Sequence, residues 1–485
     1  MEVGLNGPVY AADVAKLDSR SARVVWTARM VSEAARQARF PYAPPTAVRR
    51  AQGRRIRATV AYARAHVPYY RETMRRLILG PEDFCTASDL TRLPLLEREQ
   101  LQHDPEYFLS DQWPPEACVS LQSSGSMGAP VTVFRDPPSF FSEAAYYRRL
   151  RSIITQLAGR RVRHRAAHIV PPGGSIASIV NAFRTRTQLP KNLQGELRTF
   201  SMLRPPGELA RELEEYRPDV IISYGSYLEA LFTHTRGQSA RFTPPRVVVY
   251  HADPMSVAVR EWVETALGVE VLSSYGAVEA THIGFECERH RGYHLNVDLY
   301  PFRLIRGDGG EAAHGVPGEV VVSNLVNRGT VLLNYRLGDL ATTVQAPCPC
   351  GRTLPLCSYL GRTKAGWLDL GSGQTIHAQF LRLALEREPE IWRYQIVQEA
   401  KRGFGLRLVP SPNCDRGGIA GRVLERFREQ LGDGTAVRVD FVSDLPRGPS
   451  GKVQPVVTLS EFEQTSLAPP TSVRRHSASV VHRQA

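Results

Sequence analysis

The sequence predicts an α/β fold, with a large N-terminal domain followed by a small α+β domain. Between about residues 120 and 340, apolar runs of strand type alternate with segments of helical periodicity, the pattern of parallel βαβ units. A break falls at LGRTKAGW (360–367), and a compact set of helices and strands follows it. The 485 residues, of which 42% are hydrophobic, suffice for a large core and two or three domains.

The N-terminal region, to about residue 110, is expected to be helical. Residues 20–77 are rich in arginine and carry apolar residues at helical spacing, so we expect helices that dock onto another part of the protein. The basic residues are interleaved with Leu, Val and Ala, and no RNA- or DNA-binding motif is present. A solvated basic face therefore explains this region better than a nucleic-acid arm.

The middle of the large domain is expected to form buried strands that alternate with helices. The predicted strands are RAAHIVPP (165–172), DVIISYG (219–225), RVVVYHADP (246–254) and VEVLSSYG (269–276), and the predicted helices are GELARELEEYRP (207–218) and SVAVREWVETALG (256–268). Ligands of such sheets gather at the carboxyl ends of the strands. Shorter strands are expected from GEVVVSNLV (318–326) and TVLLNYRLGDL (330–340).

The small domain is expected to combine two helices with three strands. The helices are HAQFLRLALERE (377–388) and IAGRVLERFREQLG (419–432), and the strands are IWRYQIVQEA (391–400), FGLRLVPS (404–411) and AVRVDFVS (436–443). We therefore place the N-terminal domain at 1–362 and a mobile C-terminal domain at 363–465. Residues 466–485 are rich in Pro, Ser and Arg, which predicts a disordered basic tail.

Composition and charge restrict the class of protein. No run approaches the roughly 20 apolar residues of a membrane span, and no signal-peptide pattern is present, so we expect a cytoplasmic protein without a membrane partner. Seven cysteines do not form a disulfide framework in a chain of this length.

The net charge of +13 favours acidic partners such as nucleic acid or phosphorylated small molecules. Only five of the 61 basic residues are lysines, a bias that a GC-rich genome explains, and a lysine kept against that bias is a candidate for a place where a compact ammonium is needed.

The stretch LQSSGSMGAP (121–130) has the composition of a phosphate-binding loop but contains no lysine. Serine hydroxyls and backbone N–H groups can surround phosphate oxygens, and glycine permits their close approach. The residues that supply these groups are Ser123, Ser124, Gly125, Ser126 and Gly128. Taken alone, the run is explained better by a plain surface loop than by a phosphate site.

Six motifs in order resemble those of the adenylate-forming superfamily, and within it the phenylacetate–CoA ligase-like branch. They are SSGSMGAPV (123–131), HADP (251–254), SYGAVE (274–279), YRLGDL (335–340), LGR (360–362) and LPRGPSGKV (445–453). VPYYR (67–71) and DLTRLPLLEREQL (89–101) are also similar to that branch. The resemblance covers about residues 50 to 460 and implies a large α/β domain of the adenylate-forming type with a small mobile α+β domain.

The resemblance implies an ATP site. The serine- and glycine-rich loop, 123–128, would hold the β- and γ-phosphates. The segment that lies along adenine in the family matches Ala252, Asp253 and Pro254, with Asp in place of the usual Glu. An aromatic residue ahead of a glycine stacks on adenine, which implies Tyr275 with Gly276.

The resemblance also implies the residues that act on the reacting phosphate. Glu279 would hold Mg²⁺ and is a candidate catalytic residue, and Asp339 would bind the ribose hydroxyls. Arg362 would contact ribose or phosphate, and Lys364 falls on the hinge. Lys452 matches the catalytic lysine of the C-terminal motif. Taken singly, several of these residues are also explained as core, turn or helix-start positions, and only the ordered set carries the assignment.

The chemistry explains how the loop could lack a lysine. Attack of a carboxylate on the α-phosphorus concentrates negative charge on the phosphate oxygens and the departing pyrophosphate. The ammonium of Lys452, in a Gly/Pro/Ser loop of a mobile domain, could supply the missing cation. Most relatives have Lys or a similar residue where Ala129 stands, and Met127 replaces a hydroxyl or glycine, so weaker ATP binding is expected.

Four residues of CERHRGYH (287–294) and CPCGR (348–352) form a candidate zinc site: Cys287, His294, Cys348 and Cys350. A Cys₃His set suits tetrahedral Zn²⁺, and because it fills all four positions the expected role is structural. His290 and Cys357 are alternative ligands, and buried reduced thiols remain the explanation without a metal. Some members of the resembled branch hold a zinc at a similar place.

We expect an AMP-forming ligase that activates an aromatic carboxylic acid and passes the acyl group to coenzyme A. The segment GQTIHAQFL (373–381) retains the Gly and Ile of the acceptor loop in relatives but lacks its proline and glutamate. An amine or other nitrogen nucleophile as acceptor, in an amide-type ligase of secondary metabolism, is therefore the alternative. A non-catalytic nucleotide- or nucleic-acid-binding protein, suggested by Ala129 and the charge, is the third hypothesis.

Overall fold

The computed structural model describes residues 20–123, 130–159, 164–189, 195–237, 242–362, 367–371, 374–412, 414–432, 434–447 and 453–459. The α-helices are α1 Arg20–Gln37, α2 Pro45–His66, α3 Pro68–Arg76, α4 Arg98–His103, α5 Pro137–Tyr146, α6 Arg148–Leu157, α7 Ser175–Arg186, α8 Pro206–Tyr216, α9 Gly225–Gly237, α10 Val257–Leu267, α11 Ala378–Glu386 and α12 Arg416–Leu431. Short 3₁₀ helices lie at Phe40–Tyr42, Pro81–Asp83, Ser88–Arg92, Glu106–Phe108 and Pro115–Ala117. These helices are too short or too polar to cross a lipid bilayer.

The strands form one large sheet and three smaller ones. They are β1 Val119–Gln122, β2 Thr132–Arg135, β3 Arg165–Val170, β4 Glu196–Ser201, β5 Val220–Tyr224, β6 Val247–His251, β7 Glu270–Tyr275, β8 Gly284–Glu286, β9 Tyr293–Leu295, β10 Phe302–Ile305, β11 Gly318–Val322, β12 Tyr335–Val344, β13 Leu356–Arg362, β14 Trp367–Gly371, β15 Gln374–His377, β16 Ile391–Ala400, β17 Gly403–Pro410, β18 Ala436–Phe441 and β19 Val456–Val457. The large sheet has the order β10-β11-β12-β13-β9-β8-β7-β6-β5-β3-β4. The predicted α/β fold is confirmed.

Strands β4, β3, β5, β6 and β7 are parallel, and the sheet becomes antiparallel from β8 onward. All four strands predicted in this half are present. They read as apolar runs because helices cover both faces, as is usual for parallel sheets. The run 330–340 was predicted as one strand, but the strand starts only at Tyr335, because the residues before it form a buried connection.

Each face of the parallel half packs against its own set of helices. On one face, alternate residues of β3, β5 and β6 contact α6; these are Ala166, Val220, Val247 and Val249 against Leu150, Ile153 and Ile154. On the other face, the intervening residues contact α8, α9 and α10; these include Ala167, Ile169, Ile221 and Val248 against Leu209, Leu213, Leu228 and Val263. This double layer is the core that holds the carboxyl ends of the strands in place.

The ends of individual helices follow from local sequence. The side chain of Asp136 accepts a hydrogen bond of 2.9 Å from the Ser139 N–H and so begins α5. Asp415 begins α12 in the same way through Gly418 at 3.0 Å. Gly268 ends α10 with a φ of +63°, in the left-handed region where glycine has no steric penalty.

The N-terminal region contains α1, α2 and α3, and α1 docks onto α5. Trp26 of α1 stacks on Phe141 of α5 with ring centroids 5.8 Å apart. At the other end of the chain, β16 to β19 form a four-stranded sheet that packs against α11 and α12. The predicted tail, 466–485, lies outside the described residues.

Candidate active site

The carboxyl ends of β5 and β6 bring together the start of α9 and the segment predicted to lie along adenine. Asp253 accepts two hydrogen bonds from Ser226, from its hydroxyl at 2.6 Å and from its N–H at 3.2 Å. Gly225 is required here, since an added Cβ would come within 2.4 Å of the Pro254 backbone. The Ala252–Pro254 segment is therefore held against α9, and Ala252 itself has a φ of +67°.

Tyr275 and Asp339, the residues assigned to adenine and ribose, are in direct contact. The Tyr275 hydroxyl donates to Asp339 Oδ2 at 2.9 Å, and both side chains are buried. Burial, together with the adjacent Asp339 carboxylate, raises the pKa of Tyr275 well above its ordinary value. Arg362 is the register partner of Asp339 across β12 and β13. Asp339 thus contacts Tyr275 through its side chain and lies opposite Arg362 on the neighbouring strand, and the nucleotide roles of all three stay predictions.

An arginine that the sequence analysis did not select links the start of the loop to Glu279. Arg98 Nη2 donates to Ser123 Oγ at 2.9 Å, and Arg98 Nη1 lies 3.5 Å from Glu279 Oε1. Ser123 Oγ also accepts from the Val131 N–H at 2.8 Å. A guanidinium therefore lies beside the lysine-free loop. Its position within DLTRLPLLEREQL was the signal available in the sequence.

Glu279 is carried on a turn that is fixed from two sides. The Asn324 side chain donates to the Glu279 carbonyl at 2.8 Å, and the Arg135 guanidinium donates to the Val278 carbonyl at 2.6 Å. The Tyr335 hydroxyl reaches Glu279 Oε1 at 3.1 Å. These distant partners were not predictable from the motif itself. They orient the carboxylate assigned to Mg²⁺.

Several predicted residues lie outside the described part of the chain. They are Ser124, Gly125, Ser126 and Gly128 of the loop, Lys364 of the hinge and Lys452 of the C-terminal motif. The same motif contributes Arg447, whose guanidinium lies over the Tyr227 ring at 5.1 Å from its centroid. Tyr227 belongs to α9, so the C-terminal motif approaches the carboxyl ends of the parallel strands.

The C-terminal unit contacts the large domain through aromatic, hydrogen-bonding and ionic contacts around Trp392 and Arg393. Trp392 stacks on Trp262 with centroids 6.1 Å apart, and the Ser256 hydroxyl donates to the Trp392 carbonyl at 2.6 Å. Next to them, Arg393 Nε lies 3.7 Å from the buried carboxylate of Glu229.

The four candidate zinc ligands converge, as the sequence predicted. The ligand atoms of Cys287, His294, Cys348 and Cys350 all lie within 4.8 Å of one another. Cys287 and Cys348 approach to 3.6 Å, and Cys350 Sγ lies 3.4 Å from His294 Nε2. Burial lowers the pKa of His294 to about 4, so its imidazole is neutral, the form that binds metals.

The surroundings of the cluster fit a structural zinc. Three thiols and one imidazole are the donors Zn²⁺ takes in closed tetrahedral sites. Of the two alternative ligands, His290 instead contacts Arg260 at 2.7 Å and Glu286 at 3.3 Å, and neither it nor Cys357 belongs to the group among the described residues.

Comparison with known proteins is consistent with these features. Residues 371–458 match the family model of the CapK C-terminal domain. The chain is 27% identical to a phenylacetate–coenzyme A ligase of Thermus thermophilus over 368 residues, which is 73% of this chain and 79% of the relative. It is 18% identical to Protein CapK of Staphylococcus aureus over 83% of this chain and 87% of that protein.

The chain is also similar in structure to a solved 2-hydroxyisobutyryl-CoA ligase in its postadenylation state in complex with R3-HIB-AMP, with a TM-score of 0.67 at 18% sequence identity. The match covers 88% of this chain and 94% of the ligase chain. The fold is thus that of the adenylate-forming superfamily, as the motif order predicted. Within that class, the chain is a homologue of the phenylacetate–CoA ligases. The predicted enzyme class, an AMP-forming acid ligase, is confirmed.

Proposed function

We propose that the protein joins a carboxylic acid to coenzyme A in two half-reactions that use ATP. In the first, a carboxylate oxygen attacks the α-phosphorus, the bond to the β-phosphate oxygen breaks, and pyrophosphate leaves an acyl-adenylate. In the second, the thiol of coenzyme A attacks the acyl carbon, loses its proton, and AMP leaves. The observation that carries the proposal is the meeting of Arg98, Ser123 and Glu279 beside the Tyr275–Asp339 pair.

In this proposal Arg98 supplies the charge that the loop lacks. A guanidinium has five donors in a fixed fork and suits phosphate oxygens. Because Arg98 already contacts Ser123, a phosphate bound by the loop would lie within its reach. Glu279 would hold Mg²⁺, which neutralises phosphate charge when it is bound with the nucleotide.

Tyr275 and Asp339 would orient the nucleoside half of ATP. The hydrogen bond between them fixes the carboxylate before ATP arrives, so little ordering is left to occur on binding. Arg362, on the adjacent strand, would complete this edge of the site.

Lys452 would deliver the second cation from the C-terminal unit. It is five residues beyond Arg447, which lies over Tyr227 at the carboxyl edge of the sheet. Five residues span at most about 18 Å, so the chain length allows the ammonium to reach the α-phosphate from there. An ammonium placed at the departing pyrophosphate stabilises the charge that develops in the transition state.

The experiment is acid-dependent release of pyrophosphate with ATP and Mg²⁺, over a panel of aryl and aliphatic acids. Lys452→Ala should lower release by at least about 100-fold, the usual effect of removing one such charge contact. Lys401→Ala is the matched control, since Lys401 lies in the same unit, is largely exposed and pairs with the exposed Asp369 at 3.5 Å. Equal activity of the two variants, or no release with any acid, would refute the proposed adenylation.

A nitrogen nucleophile as acceptor is the second candidate function. The segment 373–381 lacks the proline and glutamate of the acceptor loop, which favours this candidate over coenzyme A alone. Release of AMP that depends on coenzyme A supports the first candidate. Release that depends on an amine, with no effect of coenzyme A, supports the second.

We also propose that the Cys₃His cluster holds a structural Zn²⁺. A full set of four ligands leaves no open position for substrate, so the metal would stabilise the β9 and β13 region. Purified protein should contain about one zinc per chain by elemental analysis, and Cys348→Ser should lose it together with several degrees of Tm. Cys414→Ser, outside the cluster, is the control, and a zinc-free wild type of unchanged Tm would contradict the assignment.

A further inference from the structure

One face of the parallel half of the large sheet is partly uncovered toward the carboxyl ends of its strands, and this uncovered area is called the cleft. Helix α6 covers the amino-terminal part of that face. Toward the carboxyl ends, Ile222 of β5, His251 of β6 and Ser274 of β7 remain partly exposed although they belong to central strands. Residues in the middle of such a sheet are ordinarily buried on both faces. The uncovered area adjoins the Asp253 segment, at the edge where ligands of these folds bind.

Imidazoles and a phenol form the wall of this cleft. His168 of β3 and His251 have ring centroids 6.0 Å apart, and the Tyr224 ring lies 5.0 Å from His251. The strand register places the three on the same face, because His168 pairs with Ile222 and Tyr224 pairs with His251.

His168 has an unused hydrogen-bonding atom. The side chain is 9% exposed, and its Nε2 has no hydrogen-bond partner among the described residues. Buried polar atoms are almost always paired, so an orphaned imidazole nitrogen beside a cleft points to a ligand group. Burial lowers the pKa of His168 to about 4, so the ring is neutral and offers a hydrogen bond rather than an ion pair.

The aromatic side chains that could have made an apolar acid pocket are used elsewhere. Phe141 stacks on Trp26, and the Tyr227 hydroxyl donates to the Arg204 carbonyl at 2.9 Å. Phe140, Tyr146 and Phe232 are buried in core clusters. Among these aromatic side chains and Tyr224, it is Tyr224 whose ring contacts His251 in the described structure.

We propose that the acid substrate carries a hydroxyl group, which His168 binds in this cleft. A hydroxyl both donates and accepts, so it can pair with Nε2 in either tautomer and still bond to a second wall residue. The inference rests on the proposed function, since it names the substrate class of the same site. Unlike the aromatic acid that the sequence suggested, this acid is recognised through a polar substituent.

The test compares acids in matched pairs that differ only in one hydroxyl: 2-hydroxyisobutyrate with isobutyrate, 3-hydroxybutyrate with butyrate, and 4-hydroxyphenylacetate with phenylacetate. We expect at least one pair in which kcat/KM for pyrophosphate release favours the hydroxylated acid by about 100-fold or more. A protein that releases pyrophosphate with the deoxy acids equally well or better overturns this inference but leaves adenylation standing. No release with either member of any pair counts against both.

Variants of two histidines on the same strand separate recognition from folding. His168→Phe should reduce the preference by at least about tenfold, because only the hydroxylated acid loses a hydrogen bond. His164→Phe is the matched control: His164 is equally buried but lies at the amino end of β3, about 13 Å away by strand rise, and should leave the preference unchanged. If His168→Phe does not fold, His168→Asn, which keeps a donor and an acceptor, should fold and retain more of the preference than His168→Ala. Equal preference in all variants would refute the role of His168.

Discussion

Replacing Arg98 with glutamine tests whether this side chain supplies the cation that the loop lacks. The guanidinium contacts Ser123 Oγ at 2.9 Å and lies 3.5 Å from Glu279 Oε1, so a phosphate held by the loop would be within one hydrogen-bond length of it. Two unit charges 4 Å apart interact by about 4 kcal/mol at the effective dielectric of a partly buried site. Other contacts of the guanidinium compete with this interaction. We therefore expect Arg98→Gln to raise the free energy of the transition state by about 2.7 to 4 kcal/mol, which is a 100- to 1000-fold fall in kcat/KM.

The assay is pyrophosphate release at varied ATP with saturating acid. Most of the loss should appear in kcat, since charge on the phosphate grows toward the transition state, and Arg98→Lys should recover part of it. Arg92→Gln is the control, because Arg92 is exposed and pairs with the exposed Asp83 at 3.3 Å. If Arg98→Gln retained more than a tenth of wild-type kcat/KM at normal stability, the loop would obtain its charge elsewhere and the reasoning would be wrong.

Two further changes probe the nucleoside edge and the contact between the domains. Tyr275→Phe removes the 2.9 Å hydrogen bond to Asp339 and should raise KM for ATP about five- to tenfold, measured by steady-state kinetics; an unchanged KM would mean that the pair has no part in binding. Burial raises the pKa of Glu229 to about 7 despite Arg393, above the 4.5 of the unfolded chain. The contribution of Glu229 to the free energy of unfolding is therefore complete below pH 4.5 and is lost as the pH rises to 7. The free energy of unfolding falls by up to about 3 kcal/mol over this range. Glu229→Gln should flatten that fall in urea titrations at pH 5 and pH 8, whereas an equal slope in both proteins would assign the dependence to other groups.

Local patterns were sufficient for β3, β5, β6 and β7 of the parallel half, whereas β4 was not predicted. RAAHIVPP and RVVVYHADP are continuous apolar runs, because both faces of their strands are covered, and the structure has strands there. The run 330–340 has the same composition, yet its first half is a buried connection and the strand starts at Tyr335. Burial makes a strand and a buried loop equally apolar, so hydrophobicity alone could not separate them.

Part of the candidate site could also be predicted from local patterns. Tyr275, Glu279 and Asp339 belong to short motifs, and the structure brings all three close together. Arg98 begins a six-residue helix within the family-like segment 89–101, but nothing in that segment shows that its side chain meets Ser123 and Glu279.

The sequence by itself determined the class of this protein and identified the four residues of the candidate zinc site. Those conclusions depend on residue types at short spacings, which are properties of the chain before it folds. Only the tertiary structure decided that Arg98 meets Glu279 across 181 positions, and that His168 rather than a phenyl ring faces the cleft. Such contacts depend on how helices pack over the sheet, and packing is fixed by the whole core rather than by any local pattern.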